Sequence, residues 1–143
     1  MSYTNYYYAI MQDIQTLLRV EFPNNQILIG ERLTIEQQPT IIIEPYAKEI
    51  DTQIQNAKKI FIFEIIIRCY GWELNDEDSA RKLTDLSEQV EELLIDNKNY
   101  PSDSSSWYNS NPLKIDYGQI NKSGSLLRTS EIRWRFQKIV NRT

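Results

Sequence analysis

The sequence predicts an α+β domain in which two helices pack on one face of a largely antiparallel sheet, in the order α-β-β-β-α-β-β. Two segments carry apolar residues at helical spacing, and the other segments are rich in β-branched and aromatic residues. The most pronounced of these is residues 58–72, KKIFIFEIIIRCYGW, which contain no proline and no glycine before Gly71. A chain of 143 residues suits one domain, so residues 1–143 are expected to fold as a single unit.

The central segment, residues 58–72, alternates so that its two faces differ. One face is continuously apolar and is predicted to be core: Phe61, Phe63, Ile65, Ile67 and Cys69. The other face mixes apolar and charged side chains, as a surface covered by a partner protein does: Ile60, Ile62, Glu64, Ile66, Arg68 and Tyr70. At about 3.3 Å per residue the segment reaches roughly 50 Å, whereas a globule of this size is about 35–40 Å across. We therefore expect the strand to extend beyond its own domain, to twist strongly, or both.

The first helix is predicted over residues 4–20. Its apolar stripe recurs every three or four residues and consists of Tyr7, Ile10, Met11, Ile14, Leu17 and Leu18. Ser2 or Thr4 is the expected N-cap, and Pro23 ends the helix.

Two short strands are predicted next, over residues 26–30 and 40–45, because both segments are apolar and bounded by Asn, Gly or Pro. Residues 41–43 do not alternate, which predicts a strand covered on both faces. Residues 46–57 are then predicted to form a polar loop, an extension of the domain. Long ordered loops are often functional, and we expect this one to be mobile in an isolated subunit.

The second helix is predicted over residues 75–96, with Asn75 or Asp76 as its N-cap. Its apolar side contains Leu83, Leu86, Val90 and Leu94, and its far side carries Asp85, Glu88, Glu92 and Asp96. The spacing of the acids places like charges next to each other, at a cost of about a few tenths of a kcal/mol per pair. A partner surface that carries arginines would remove this cost.

A second extension, the Ser- and Asn-rich loop of residues 97–112, precedes the last two strands. Trp107 and Tyr108 in this loop pack either on their own domain or on a neighbouring protein as anchors. The two closing strands are predicted over residues 113–120 and 126–140, with a hairpin turn between them.

Charge is distributed unevenly along the chain, although the net charge is only −4. Residues 122–143 carry six Lys or Arg and a single Glu, whereas residues 1–121 carry ten Lys or Arg and nineteen Asp or Glu. This split is either chance clustering on a solvated surface or a device that steers the basic end of one copy to the acidic body of another. Arg133 and Arg135 lie on the side of the last strand opposite its apolar face, and we hypothesise that they pair with Asp85, Glu88 and Glu92 of the next copy.

Catalysis is not expected from this composition. The chain has no histidine, which is the commonest general base and metal ligand. Its one cysteine, Cys69, lies on the apolar face of the central segment and cannot form an internal disulfide, which fits a reducing compartment. The four glycines are too widely separated for a phosphate-binding loop, and residues 75–78 lack the calcium-loop pattern. We therefore expect no enzyme, cofactor or metal, and we also expect no secretory signal and no membrane-spanning segment.

The chain resembles phage tail terminator proteins, also called tail completion or minor tail proteins, over most of its length. The resemblance rests on an N-terminal amphipathic helix ending in Phe22 and Pro23, and on a proline before an isoleucine-rich strand at residues 39–45. A polar loop then leads to the long strand that ends in Trp72, followed by a second helix with alanine and leucine and by a closing β-hairpin.

This resemblance implies a homo-oligomeric ring, usually of six copies, at the head-proximal end of the tail tube. Such a ring stops tube growth, docks the neck or head-completion protein and lets DNA pass without binding it specifically. Its location would be the virion tail or neck, after assembly in the host cytoplasm. In this chain, residues 46–57 would face the lumen or the tube through Lys48, Glu49 and Asp51, whose acids would keep DNA from sticking.

Two other functions are compatible with the same sequence. One is a neck or head-completion protein or the tail tube protein itself, which would polymerise into long tubes rather than single rings. The other is a small α+β binding module unrelated to phage, which would be a stable monomer with a preformed pocket.

Overall fold

The computed structural model describes residues 5–31, 39–51, 58–74, 77–99, 107–122 and 124–141. Its elements follow the predicted order α-β-β-β-α-β-β. The helices are α1 (Tyr6–Glu21) and α2 (Ser79–Asp96); the strands are β1 (Gln26–Ile29), β2 (Thr40–Asp51), β3 (Lys58–Glu73), β4 (Tyr108–Lys122) and β5 (Ser125–Asn141). The predicted α+β class is confirmed.

The five strands form one sheet in the order β1-β2-β3-β5-β4. β1 runs parallel to β2, and the three other pairings are antiparallel. β3 has 16 residues and β5 has 17, so each reaches about 55 Å at 3.3 Å per residue. Each of these strands is thus about twice as long as either helix, whose rise is about 1.5 Å per residue.

Both helices pack on the same side of the sheet and enclose the core. The predicted apolar face of β3 is buried there, with Phe61 4% exposed and the other four residues fully covered. From the helices, the core receives Ile10, Met11, Ile14 and Leu18 of α1 and Leu83, Leu86, Val90 and Leu94 of α2. The helical periodicity seen in the sequence therefore identified the inward sides of both helices correctly.

Helix boundaries differ from the predicted ones at both N-termini. α1 is capped by Asn5, whose side chain accepts a hydrogen bond from the Tyr8 N–H at 3.0 Å. The predicted caps Ser2 and Thr4 lie outside the described residues. α2 begins only at Ser79, after a turn at residues 77–78, and Asp78 at its N-cap makes no side-chain capping bond. The predicted caps Asn75 and Asp76 are also outside the described residues.

Two segments predicted as loops are strands. Residues 46–51 continue β2, in register with β3 as far as the pair of Asp51 and Ile60. Residues 108–112 begin β4 and pair with β5, with register shifts before Asn111 and before Lys114. In both cases the long neighbouring strand supplies backbone hydrogen-bond partners. This pairing stabilises a strand, although the polar composition of the segments had predicted a loop. Residues 52–57 and 100–106 of the predicted loops lie outside the described part of the chain.

The continuation of β2 depends on a β-bulge between Pro45 and Ala47. The hydroxyl of Tyr7 in α1 lies at this bulge, where it accepts a hydrogen bond from the Tyr46 N–H at 2.9 Å. Its single hydrogen is shared between the carbonyl oxygens of Ala47 and Glu64, which both lie within hydrogen-bond reach. One helix side chain thus replaces the ladder bonds that the bulge interrupts.

Among the described residues, the side of the sheet away from the helices is buried at one end only. Ile42, Tyr70 and Leu127 form a small buried cluster there, with Leu28 and Ile120 packed against it. Residues 41–43 are therefore buried on both faces of the sheet, as their lack of alternation predicted. Towards β2's far end this side consists of half-exposed and exposed residues.

Candidate interaction surfaces

The helix-free side of the sheet is the first candidate surface, and we call it the open face. It follows from strand alternation, because the residues between the core positions of β2, β3 and β5 turn away from the helices. Its central members are Glu44, Glu64, Ile66, Arg68, Glu131, Arg133 and Arg135. All seven are half-buried, as are Ile60 and Ile62, so the predicted mixed, partly covered face of the central strand is confirmed except at Tyr70, which is buried.

Arg68 is the most strongly bound charge on the open face. Its guanidinium contacts a carboxylate oxygen of Glu131 at 2.8 Å and one of Glu31 at 3.0 Å. Burial lowers the pKa of Arg68, but the hydrogen bond and charge of Glu131 outweigh burial and raise it. The Tyr70 hydroxyl donates to the same Glu31 carboxylate at 2.8 Å, and burial together with Glu31 raises the pKa of Tyr70. This network joins β3 and β5 to Glu31, which lies two residues beyond the end of β1.

Arg133 also has partners inside its own chain. Its guanidinium lies 3.5 Å from a carboxylate oxygen of Glu64 and 4.2 Å from the centre of the Tyr46 ring. The pair is partly shielded, with the Glu64 side chain 20% exposed, and a cation over an aromatic ring contributes about 0.5–1 kcal/mol or more. Neighbouring Arg135 is half-exposed and pairs with no carboxylate of the described residues. Of the two arginines predicted to bind a second copy, Arg135 is thus the one with an uncommitted guanidinium.

The second candidate surface is the acid stripe of α2, which consists of Asp85, Glu88 and Glu92. All three are exposed, because the opposite side of α2 is buried in the core. Asp85 lies 3.5 Å from Arg81 one turn earlier, a solvent-exposed pair of little energetic weight. The stripe lies on the side of α2 that points away from the sheet, whereas Arg133 and Arg135 lie on the open face, on the other side of the sheet. The five residues therefore cannot meet within one copy.

Trp107 was predicted as a possible anchor for a neighbouring protein, and for this residue that prediction is wrong. Its side chain is 2% exposed and belongs to the core. The indole N–H donates to the carbonyl oxygen of Asn97 at 2.9 Å, and its ring lies 6.0 Å from that of Phe136. The alternative, packing on its own domain, is correct. Tyr108 begins β4 opposite Gln137, and its side chain lies outside the described part of the structure.

The predicted lumen-facing loop residues do not share a loop surface. Lys48, Glu49 and Asp51 are on β2, where successive side chains point to opposite faces. Lys48 is on the helix side, with its ammonium 4.3 Å from the centre of the Phe61 ring. Glu49 lies opposite Ile62 on the open face, and Asp51 lies opposite Ile60. The interpretation of these three as one loop was therefore wrong, because the strand continues to Asp51.

Tyr46 and Glu31 are contact residues that sequence reasoning missed. Alternation placed Glu64 and Arg133 on outward positions of two strands, but it did not show that those strands are neighbours. The strand order and the register of β3 against β5 bring them together, because Glu64 is opposite Arg135 and two residues along the strand from Ile66, which is opposite Arg133. No local pattern near Glu31 indicated that its carboxylate reaches Arg68, 37 residues away.

Cys69 is buried in the core, and burial raises the pKa of its thiol to about 12 despite a hydrogen bond from Ser130. Because the thiolate is the reactive form, we expect the native chain at pH 8 to react with a thiol reagent at least about 100-fold more slowly than the urea-unfolded chain. Absorbance of the released chromophore measures both rates. Rapid modification of the native chain would contradict this account of Cys69.

Within the described ranges, no group of three or more Cys, Asp or Glu side chains is arranged to hold a metal ion. None of the helices in that part of the chain is both long and apolar enough to span a membrane. No protein-family model matches the chain, and no curated protein matches it.

Proposed function

We propose that the chain is a structural subunit of a phage tail that assembles into a ring and terminates the tail tube. The observation that carries this proposal is the placement of one uncommitted arginine and a stripe of exposed carboxylates on opposite sides of one domain. The open face presents the uncommitted Arg135, and α2 presents Asp85, Glu88 and Glu92. The resemblance of the sequence to tail terminators supports the same function.

Head-to-tail contact follows from such an arrangement. When a surface of one copy binds a different surface of the next copy, the contact repeats until it closes into a ring or continues as a filament. In the proposed ring, Arg135 binds the acid stripe of the neighbouring α2. Arg133 lies beside it and adds positive charge, although Glu64 and Tyr46 hold its guanidinium.

The proposed ring has six copies, caps the head-proximal end of the tail tube and joins it to the neck or head-completion protein. DNA passes through it without specific binding. The carboxylates of Glu44 and Glu49 on the open face, and the net charge of −4, disfavour tight contact with phosphate. The protein is thus proposed to be a virion component that is assembled in the host cytoplasm.

A charge exchange tests the contact between copies. We expect Arg135→Glu and Glu92→Lys each to weaken self-association at least about tenfold, since close interfacial charge pairs are coupled by about 1.5 kcal/mol or more. The double variant should recover most of the loss, because it restores opposite charges across the contact. Sedimentation velocity at low and moderate salt measures association, and negative-stain imaging counts copies in the ring.

Glu21→Lys is the matched control, because it makes the same charge change at an exposed position at the end of α1. It should leave association unchanged. Equal association of the wild type and both single variants would reject the pairing of Arg135 with the stripe. Rings that neither bind tube ends nor stop tube growth would reject termination while leaving assembly intact.

A further inference from the structure

The outer edge of β4 is a surface that the proposed ring does not use. β4 lies at the end of the sheet and pairs with β5 alone among the described strands. From Lys114 to Lys122 its register against β5 runs without a bulge. A regular edge strand offers unpaired N–H and C=O groups to any further strand.

The groups that point outward can be identified from the ladder. The Leu74 N–H donates to the Leu126 carbonyl at 3.1 Å, so the backbone groups of Leu126 turn towards β3. The Gly30 N–H donates to the Ile43 carbonyl oxygen at 2.9 Å, so the backbone groups of Ile43 point towards β1. Counting by alternation from Ile43 across β2 and β3 gives the same orientation for the backbone groups of β5. By alternation, the backbone N–H and C=O groups of Glu131 point towards β4, and those of its partner Asp116 point towards β5. The residues whose N–H and C=O groups point away from the sheet are therefore Ile115, Tyr117, Gln119 and Asn121.

Acidic side chains border this edge. The Tyr117 side chain reaches α2, where burial raises the pKa of its hydroxyl, a hydrogen bond with Ser87 opposes this rise, and the charges of Glu88 and Glu91 add to it. Glu88 and Glu91 are three residues apart on α2 and therefore lie on one side of it. A strand added beside β4 would turn every second side chain towards this pair of carboxylates.

Apolar surface is exposed along the same edge. Tyr117 is 52% exposed and Leu113 is 39% exposed, and both belong to β4. Ile95, one turn beyond Glu91 on the same side of α2, is 45% exposed. An added strand would thus gain backbone hydrogen bonds, apolar contacts and acidic neighbours together.

A second copy of the chain is a poor occupant, because the other edge of the sheet consists of β1, which has 4 residues, and of the part of β2 beyond β1, which is blocked. β1 covers β2 from Thr40 to Ile43, and beyond it Pro45 has no N–H. The Tyr46 N–H is already bonded to the Tyr7 hydroxyl. In the described part of β2 after the bulge, alternation leaves two residues with outward N–H groups, Lys48 and Ile50. The β4 edge has four such residues.

Pairing of two β4 edges is disfavoured for an electrostatic reason. A twofold axis between two antiparallel β4 strands would place both α2 helices on the same side of the joint sheet. Glu88 and Glu91 of one copy would then face the same residues of the other. Like charges brought together at an interface weaken association.

We propose that residues 115–121 of β4 bind an extended segment of a different protein, which adds a sixth strand and carries Lys or Arg at alternate positions turned towards α2. Backbone hydrogen bonds supply affinity in this mode of binding, and the alternate side chains supply specificity. The proposal does not depend on ring formation, because the backbone edge of β4 takes no part in the ring contact and Glu88 is the one residue that the two proposals share.

Hydrogen exchange on the full chain tests the proposal. The probe is a synthetic peptide of about nine residues that alternates Lys and Val, compared with the same peptide carrying Glu for Lys. In the chain alone, the amides of Ile115, Tyr117, Gln119 and Asn121 should exchange rapidly, while those of Asp116 and Gly118 are protected by β5. The Lys peptide should slow the four outward amides at least about tenfold, and the Glu peptide should not.

Gln119→Pro removes one outward N–H without removing a bond to β5, and it should weaken binding of the Lys peptide at least about tenfold. Gln119→Ala keeps the N–H and is the matched control. Glu88→Gln with Glu91→Gln is an independent variant that leaves the backbone unchanged, and it should also weaken binding. Unfolding curves check that each variant is folded.

Protection of the four outward amides in the dilute chain would overturn the proposal, as would equal binding of the Lys and Glu peptides. Slowing of these amides with rising chain concentration would instead show a second copy at the edge. Retention of binding by the folded Gln119→Pro variant, or by the double Gln variant if the proline variant does not fold, would also contradict it.

Discussion

Replacement of Trp107 by alanine is expected to lower the free energy of unfolding by about 3–5 kcal/mol, the range for removing a buried tryptophan. The ring is 2% exposed and packs near Phe136, so the substitution leaves a cavity in the core. It also removes the indole bond to Asn97 and leaves that carbonyl without its partner at the end of α2. Urea unfolding followed by circular dichroism measures the change.

Tyr8→Ala is the control for this variant, because Tyr8 is a large aromatic residue that is 45% exposed. Its removal should change stability by much less than removal of Trp107. Unchanged stability of Trp107→Ala, combined with loss of assembly, would mean that Trp107 serves a neighbouring protein after all.

Tyr7→Phe is expected to lower the free energy of unfolding by about 1–3 kcal/mol, although it removes a single oxygen atom. The Tyr7 hydroxyl accepts a hydrogen bond from the Tyr46 N–H and shares its single hydrogen between the carbonyl oxygens of Ala47 and Glu64. Phenylalanine keeps the ring contact with Phe63, whose centre is 4.7 Å away, but leaves these backbone groups without their partner. The bonds to the two carbonyl oxygens are part-buried, and a polar group that is shielded from water without a partner costs about 1–3 kcal/mol.

Tyr7→Phe should lower the local stability of the bulge around Tyr46 as well as the stability of the whole domain. Hydrogen exchange of the Tyr46 amide should accelerate more than that of amides in the centre of β3, because the bulge loses its hydroxyl bridge. Tyr6→Phe removes a hydroxyl from the preceding residue and keeps the ring beside Lys138, so it should have little effect. Equal stability of the two variants would refute the bridging role of Tyr7.

The sequence predicted the elements with strong periodicity. Residues 58–72 alternated without a break, and β3 occupies this segment with the predicted side buried. The stripes of α1 and α2 identified their core sides for the same reason, since a period of two or of 3.6 residues reflects burial on one side. The boundaries were less predictable, because residues 46–51 and 108–112 have polar compositions that also suit loops.

The acid stripe could be recognised from sequence because its members are three and four residues apart on one helix. The partners of the arginines could not, because Glu64 and Arg133 are 69 positions apart and meet only through strand order and register. Trp107 was ambiguous for a related reason, since composition does not show whether a large aromatic side chain has space in its own core.

The sequence by itself determined the class of fold, the buried faces of β3, α1 and α2, and the uneven distribution of charge. These are local properties, set by the spacing of side chains along one element. Only the tertiary structure decided which arginine remains uncommitted, where Trp107 packs and which sheet edge stays open. Those outcomes depend on contacts between residues distant in sequence, and such contacts exist only once the strands have paired in one order and one register.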